Sequence, residues 1–158
     1  MRNFSIIIIT ALLLLGCNPK NANYVGDTEI YVKIIKEIGP NSNIKECIEF
    51  SDNRGSVHSL PGFPEYFMTR VNSGKKVTWM SHPDSEPKIG ILEVNFKPND
   101  LSNNILEDTY IRGKKGIVSA NVKQKGNVRN LSYEFYNITL MINNKIYTID
   151  PILQFHEE

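Results

Sequence analysis

Cysteine occurs only at Cys17 and Cys47, tryptophan only at Trp79, and histidine only at His58, His82 and His156. An excess of one charge is missing as well. Lys and Arg total 18 against 17 Asp and Glu, which removes the case for a nucleic-acid partner. No window sustains a helical period, and residues 98–104 are loop-like with at most one turn, so a helical bundle is excluded. There is no nucleophile elbow, no H-E-x-x-H, and no Ser, His and Asp set with supporting context, so no motif assigns catalysis. Asp52-Asn53 with Gly55 falls short of the ligand count of a calcium loop and reads as a turn. Long apolar runs are scarce: the one that stands out is too short to cross a bilayer as a permanent helix.

That run decides the address of everything after it. Arg2 supplies a positive start, Phe4 to Leu15 an apolar stretch of twelve residues, and Gly16 a small residue ahead of Cys17, the layout of a secretory signal. Its end, Leu14-Leu15-Gly16-Cys17, resembles the lipobox of bacterial lipoproteins. The resemblance implies that the Cys17 thiol is diacylglycerylated, that residues 1–16 are cut away, and that the new amino group is acylated. Each buried CH₂ of such chains contributes about 0.8 kcal/mol, so several hold a protein on the membrane without a spanning helix. Within that family, Asn18 in place of Asp points to the outer membrane. The absence of an acidic cluster in Pro19-Lys20-Asn21-Ala22-Asn23 points to a domain facing the periplasm. With Cys17 acylated, Cys47 is the remaining thiol, no intramolecular disulfide can form, and its default role is that of a small buried hydrophobe.

Cleavage leaves 142 residues with 17 basic and 17 acidic side chains, enough for one domain with a sizeable core. Residues 17–27 are mostly polar or small and suit a lipidated flexible tether, and residues 28–158 form the domain. Ile30, Val32 and Ile34 alternate with Tyr31 and Lys33, as in a half-buried strand. A short run over Lys45 to Phe50 holds Cys47, and residues 56–64, with two prolines and a glycine, read as a loop. Tyr66 to Val71 and Lys75 to Met80, joined by Asn72-Ser73-Gly74, predict a tight hairpin. Ile89 and Ile91 share one phase, and Leu92, Val94 and Phe96 the other, which predicts a β-bulge. A second phase change is expected where Leu131, Tyr133 and Phe135 give way to Tyr136, Ile138, Leu140 and Ile142. Two shorter strands, Ile105 to Ile111 and Ile117 to Val122, precede it. Asn143-Asn144 closes a hairpin with Lys145–Ile149, and Asp150-Pro151 turns the chain into a last strand, Ile152 to Phe155. Eight or nine short strands without intervening helices predict an all-β protein, an antiparallel β-sandwich.

The segment Arg70 to Trp79, a glycine turn leading into a strand with V-x-W, resembles part of immunoglobulin-like and cupredoxin-like Greek-key sandwiches. The resemblance implies that Trp79 packs between the sheets as a core anchor. It also raises copper, which in cupredoxins takes two His, a Cys and a weak axial ligand. Cys47, His82, and His58 or His156 are the candidate set, but residues 143–158 lack the Cys-His-Met loop of that family. Asp84 and Glu86 beside His82 are a second candidate cation cluster. A third feature is a stretch with no acid from Thr109 to Tyr133. Its basic residues Arg112, Lys114, Lys115, Lys123, Lys125 and Arg129 either protect an edge strand or meet anionic head groups or an acidic partner.

The expected function is that of a membrane-anchored envelope lipoprotein, a non-enzymatic binding or scaffold module for an envelope protein or a glycan. A cupredoxin-like metal protein and an inhibitor or immunity protein against a cell-wall hydrolase or toxin are the alternatives. As a whole the chain resembles small envelope lipoproteins with immunoglobulin-like or cupredoxin-like domains, a likeness of fold that carries no activity.

Overall fold

The computed structural model describes residues 26–55, 59–96, 105–124, 126–128 and 132–156. The signal stretch, Cys17 and residues 18–25 of the tether lie outside the described residues, as do His58, Lys125, Arg129 and the 98–104 loop. Ten strands occur in the order β1 (Thr28–Ile34), β2 (Ile48–Asp52), β3 (Met68–Asn72), β4 (Lys76–Ser81), β5 (Gly90–Phe96), β6 (Tyr110–Arg112), β7 (Val118–Asn121), β8 (Tyr133–Ile142), β9 (Lys145–Ile149) and β10 (Ile152–His156). A one-turn helix α1 (Ile44–Cys47) precedes β2, and a 3₁₀ turn (Pro64–Tyr66) precedes β3. The run over Lys45 to Phe50 is therefore half helical turn and half strand. No helix among the described residues is long and apolar enough to cross a membrane.

The strands form an all-β sandwich. One sheet has the order β2-β1-β4-β7, and the other β3-β10-β8-β5-β6 with β9 also on β8. Alternation explains the layering: Ile30 and Val32 of β1, Val77 and Trp79 of β4, and Tyr136, Ile138 and Leu140 of β8 are all sealed from solvent and join one core cluster. Burying each such side chain contributes on the order of 1.5–3 kcal/mol. The two sheets meet where the Trp79 indole Nε1–H donates to the Tyr136 hydroxyl at 3.0 Å, with the rings edge to face at 5.6 Å. Trp79 is the core anchor its sequence context implied.

The expected antiparallel arrangement is amended at two pairings, since β1 runs parallel to β4 and β10 parallel to β3. Both follow from the Asn72-Ser73-Gly74 turn. Lys75 N–H closes the turn on Asn72 O at 3.2 Å, and Gly74 takes the positive φ of 65°. The strands it joins nevertheless lie in opposite sheets, so the predicted hairpin is a corner between layers. Thr69 and Val71 face Val77 and Trp79 across the core instead of lying beside them, and each strand finds a partner from elsewhere in the chain.

The first predicted bulge is present, as a register shift between Ile91 and Glu93 against β8. There Gly113 N–H donates to Leu92 O at 2.6 Å, an approach so close that a Cβ on Gly113 would overlap the Ile91 carbonyl oxygen. The second predicted phase change does not occur. β8 alternates without a break, which places Tyr133 and Phe135 outside and Glu134 inside. Asn143 and Asn144 both take positive φ and close the β8–β9 hairpin as expected. Asp150-Pro151 does not turn the chain. β9 and β10 keep one register along β8, with Ile149 opposite Ile138 and Ile152 opposite Phe135, and Pro151, lacking an N–H, interrupts the ladder between them.

Candidate functional site

At the end of the sandwich where β1 leaves its sheet, a groove of about 760 Å³ opens between Ile35 and Lys36, helix α1, and the Pro61-Gly62-Phe63 loop. Its volume lies in the range of about 300–1,000 Å³ usual for small-ligand sites. Local chemistry builds each wall. Asn43 caps α1 by accepting the Lys45 N–H at 3.2 Å, and Ile35 N–H donates to Cys47 O at 2.9 Å, which fixes the helix against the end of β1. Gly62, at φ 87°, turns the loop and donates its N–H to Lys45 O at 3.0 Å. Below it, Lys45 Nζ reaches Glu65 Oε1 at 3.1 Å and ties the 3₁₀ turn to the helix.

The side chains left on this frame are unlike those of a solvated loop. Phe63 and Tyr66 stack at 5.8 Å with 20° between their planes while 51% and 71% exposed, and Leu60 nearby is 66% exposed. Apolar rings held rigid in water are a prepared contact surface. Across the groove, Lys36 Nζ and Glu46 Oε2 sit 3.6 Å apart with both side chains more than half exposed. Such a pair holds at most about 1 kcal/mol, so either partner can turn toward a ligand at small cost. An aromatic platform beside one exchangeable cation and one exchangeable carboxylate suits a sugar or a mixed polar and apolar peptide surface. Among the described residues of the groove, no nucleophile is paired with a base.

The sequence assigned these residues differently, with 56–64 as plain loop and Tyr66 as the start of a strand. The signal that marks them is the cluster Leu60, Phe63 and Tyr66, three large apolar side chains among prolines and a glycine, which no alternating pattern places in the core.

Of the candidate metal residues, Cys47, His82 and His156 are described, and His58 lies outside the described residues. Cys47 is sealed at the end of α1, its thiol directed at the Glu37 carbonyl at 3.7 Å. His82 follows β4 and lies edge-on to Tyr31. Its Nδ1 accepts the Asp84 N–H at 3.1 Å, and Asp84 Oδ2 is 3.8 Å away. Glu86 faces Lys88 instead. His156 ends β10 in the other sheet, with a buried Nδ1 that has no hydrogen-bond partner among the described residues. Among the described residues, no group of three or more His, Cys, Asp and Glu is placed to hold a metal ion.

The basic residues are divided too. Lys114 and Lys115 occupy the tight turn before β7, and Lys123 follows β7 at its far end, with about 13 Å of strand between. Arg112 donates to the Tyr110 hydroxyl at 3.1 Å, which holds the guanidinium above its ordinary pKa, and Tyr110 donates to Glu93 at 2.6 Å. Lys123 lies near Glu134, a buried carboxylate whose Oε2 accepts the Ile105 N–H at 2.6 Å. Burial raises the Glu134 pKa against the opposing pull of that hydrogen bond and of Lys123. No protein-family model matches the chain, and no curated protein matches it either.

Proposed function

We propose that this protein is a lipid-anchored, non-enzymatic binding module of the bacterial envelope, and that the groove beside α1 holds a glycan or a surface segment of an envelope protein. The observation that carries this reading is the solvent-facing Phe63 on the wall of an open groove, stacked on the exposed Tyr66 beside it. Two rings kept exposed cost the monomer favourable burial, and a partner that covers them recovers it. The anchor at Cys17, facing the periplasm from the outer membrane, supplies the setting. Proximity at the membrane raises the effective concentration of any other envelope component near the groove.

An inhibitor or immunity protein that blocks a cell-wall hydrolase or toxin would be one case of the same docking. Copper has no comparable support: among the described residues no three His, Cys, Asp or Glu are placed to hold an ion, and His58 lies outside them.

The experiment is recovery of partners from solubilised envelopes and of isolated cell-wall glycan by the full lipidated chain, beside a Phe63→Ala, Tyr66→Ala double variant. Loss of a recovered partner or glycan in the variant is the expected result. Equal recovery by both proteins would remove the groove from the reading, and recovery of nothing by the wild type would remove the binding module itself.

A further inference from the structure

We infer that the outward face of the six-stranded sheet rests on the bilayer that holds the protein's own anchor. The inference depends on the proposed acylation of Cys17 and concerns a different surface from the groove. Along one cross-strand row, Met68 of β3, Ile152 of β10 and Phe135 of β8 stand side by side on the outer face. Phe135 is 53% exposed and Met68 40%. The next row is a hydrogen-bonded chain in which Arg70 Nε donates to Gln154 Oε1 at 3.1 Å and Gln154 Nε2 to the Tyr133 hydroxyl at 2.9 Å. An apolar row bordered by a tyrosine and a cation is the composition that favours the boundary between acyl chains and head groups.

Composition and tether select the occupant. Glu93 of β5, bonded by the Thr139 hydroxyl, and Asp150, two residues before Ile152 in the shared register, place carboxylates on the same face. Among the described residues, the outward positions of β3, β10 and β8 themselves hold Arg70 and no carboxylate, so the β3 end of the face is the end suited to anionic head groups. The opposite sheet presents Glu29 and Glu49 on its outer face. The first residues of β1 lie against the apolar face's own edge, with the Thr28 hydroxyl donating to Arg70 O at 3.2 Å. Nine residues, ten Cα-to-Cα steps, join Cys17 to Asp27. A flexible chain of that length spans about 17 Å on average and about 35 Å fully extended. The reach of the acyl chains from Asp27 is thus at most about 35 Å, which includes the face that β3 borders, the one with the chemistry of an interface.

The test uses the full lipidated chain on phosphatidylethanolamine and phosphatidylglycerol vesicles, with a polarity-sensitive fluorophore on Phe135→Cys or on Ser119→Cys. Ser119 lies exposed on the outer face of the other sheet. Mass spectrometry of the same samples reports acylation of Cys17. The expected result is a blue-shifted emission at position 135, quenched by nitroxide lipids, and a water-like emission at 119. Acylated protein that floats with the vesicles but stays water-like at 135 overturns the docking and leaves the anchor standing. A blue shift at 135 that nitroxide lipids do not quench also overturns it, by showing a cover of protein, either the tether or a second copy. A bare Cys17 sulfur overturns the anchor and the docking together.

Discussion

On the outside of the four-stranded sheet, Lys33 stands opposite Glu49 and Tyr31 donates to Glu29. On the outside of the six-stranded sheet, the corresponding positions of three adjacent strands hold Met68, Ile152 and Phe135. Both faces obey the same two-residue alternation, and both strand sets bury their alternate side chains in a common core. Alternation therefore states which residues point away from the core and leaves open what they meet there. A face that meets only water gains nothing from an aligned apolar row, whereas one that meets another apolar phase does. The contrast between the faces is the molecule's main statement about function.

The largest effect should come from breaking what the two faces share. Trp79 is fully buried between the sheets and donates to Tyr136, so Trp79→Ala should cost about 3–5 kcal/mol in urea unfolding followed by circular dichroism. Tyr136→Phe keeps the volume but strands the indole N–H, for about 1–3 kcal/mol. A Trp79→Ala loss below about 1 kcal/mol would mean that the sheets do not depend on one another through this contact.

A change confined to one sheet comes next. Gly113 lies against the bulge at Ile91 and Glu93, where a Cβ would collide with backbone. Gly113→Ala should destabilise by about 1–3 kcal/mol, as overpacking does when the neighbour cannot move aside. Hydrogen exchange should locate the damage in β5 and β6, with β1 and β2 still protected. Uniform loss of protection across both sheets would contradict a local collision.

The bulge was legible in the sequence because Ile91 and Leu92 are adjacent apolar residues of opposite phase, and one extra residue in the strand lets both phases reach the same core. The second apparent phase change misled for a reason that is also physical. Tyr133 and Phe135 are apolar and face out, while Glu134 is ionisable and faces in to hold the Ile105 N–H. Hydrophobicity reverses there because the inside has a backbone donor to satisfy, while Tyr133 and Phe135 stand on the exposed face. The Asn72-Ser73-Gly74 turn was legible as a turn. Its destination was not, since the same local geometry serves a hairpin or a crossing between layers. The groove was illegible as a site because its residues come from three segments, brought together by the antiparallel pairing of β1 with β2 and by the bonds Ile35 N–H to Cys47 O and Gly62 N–H to Lys45 O.

Glu134 gives the comparison a pH axis. Its pKa is raised in the folded protein, so the native state holds this proton more tightly than the unfolded chain. Stability is then greatest below the ordinary carboxylate range and declines as pH rises through the folded pKa. Glu134→Gln keeps an oxygen for the Ile105 N–H and removes the titration. Its stability relative to wild type should therefore increase across that window, read from urea midpoints at stepped pH. A difference that stays constant with pH would show that burial of the charge carries no cost there.

The smallest effect on stability tests the outer face itself. Phe135 and Tyr136 are neighbours on β8, one half in solvent and one sealed, so replacing each measures what its own side of the sheet requires. Phe135→Ser should cost less than about 1 kcal/mol, the scale of strand preference at an exposed position. Tyr136→Ala should approach the Trp79→Ala loss, because it opens a cavity against the same indole. If the serine variant instead lost several kcal/mol, the ring would be part of the monomer's own packing. The apolar row would then need no external surface to account for it. A near-neutral result leaves a phenylalanine, a methionine and an isoleucine aligned in water with no return in stability, and what the face touches outside the molecule then accounts for their alignment.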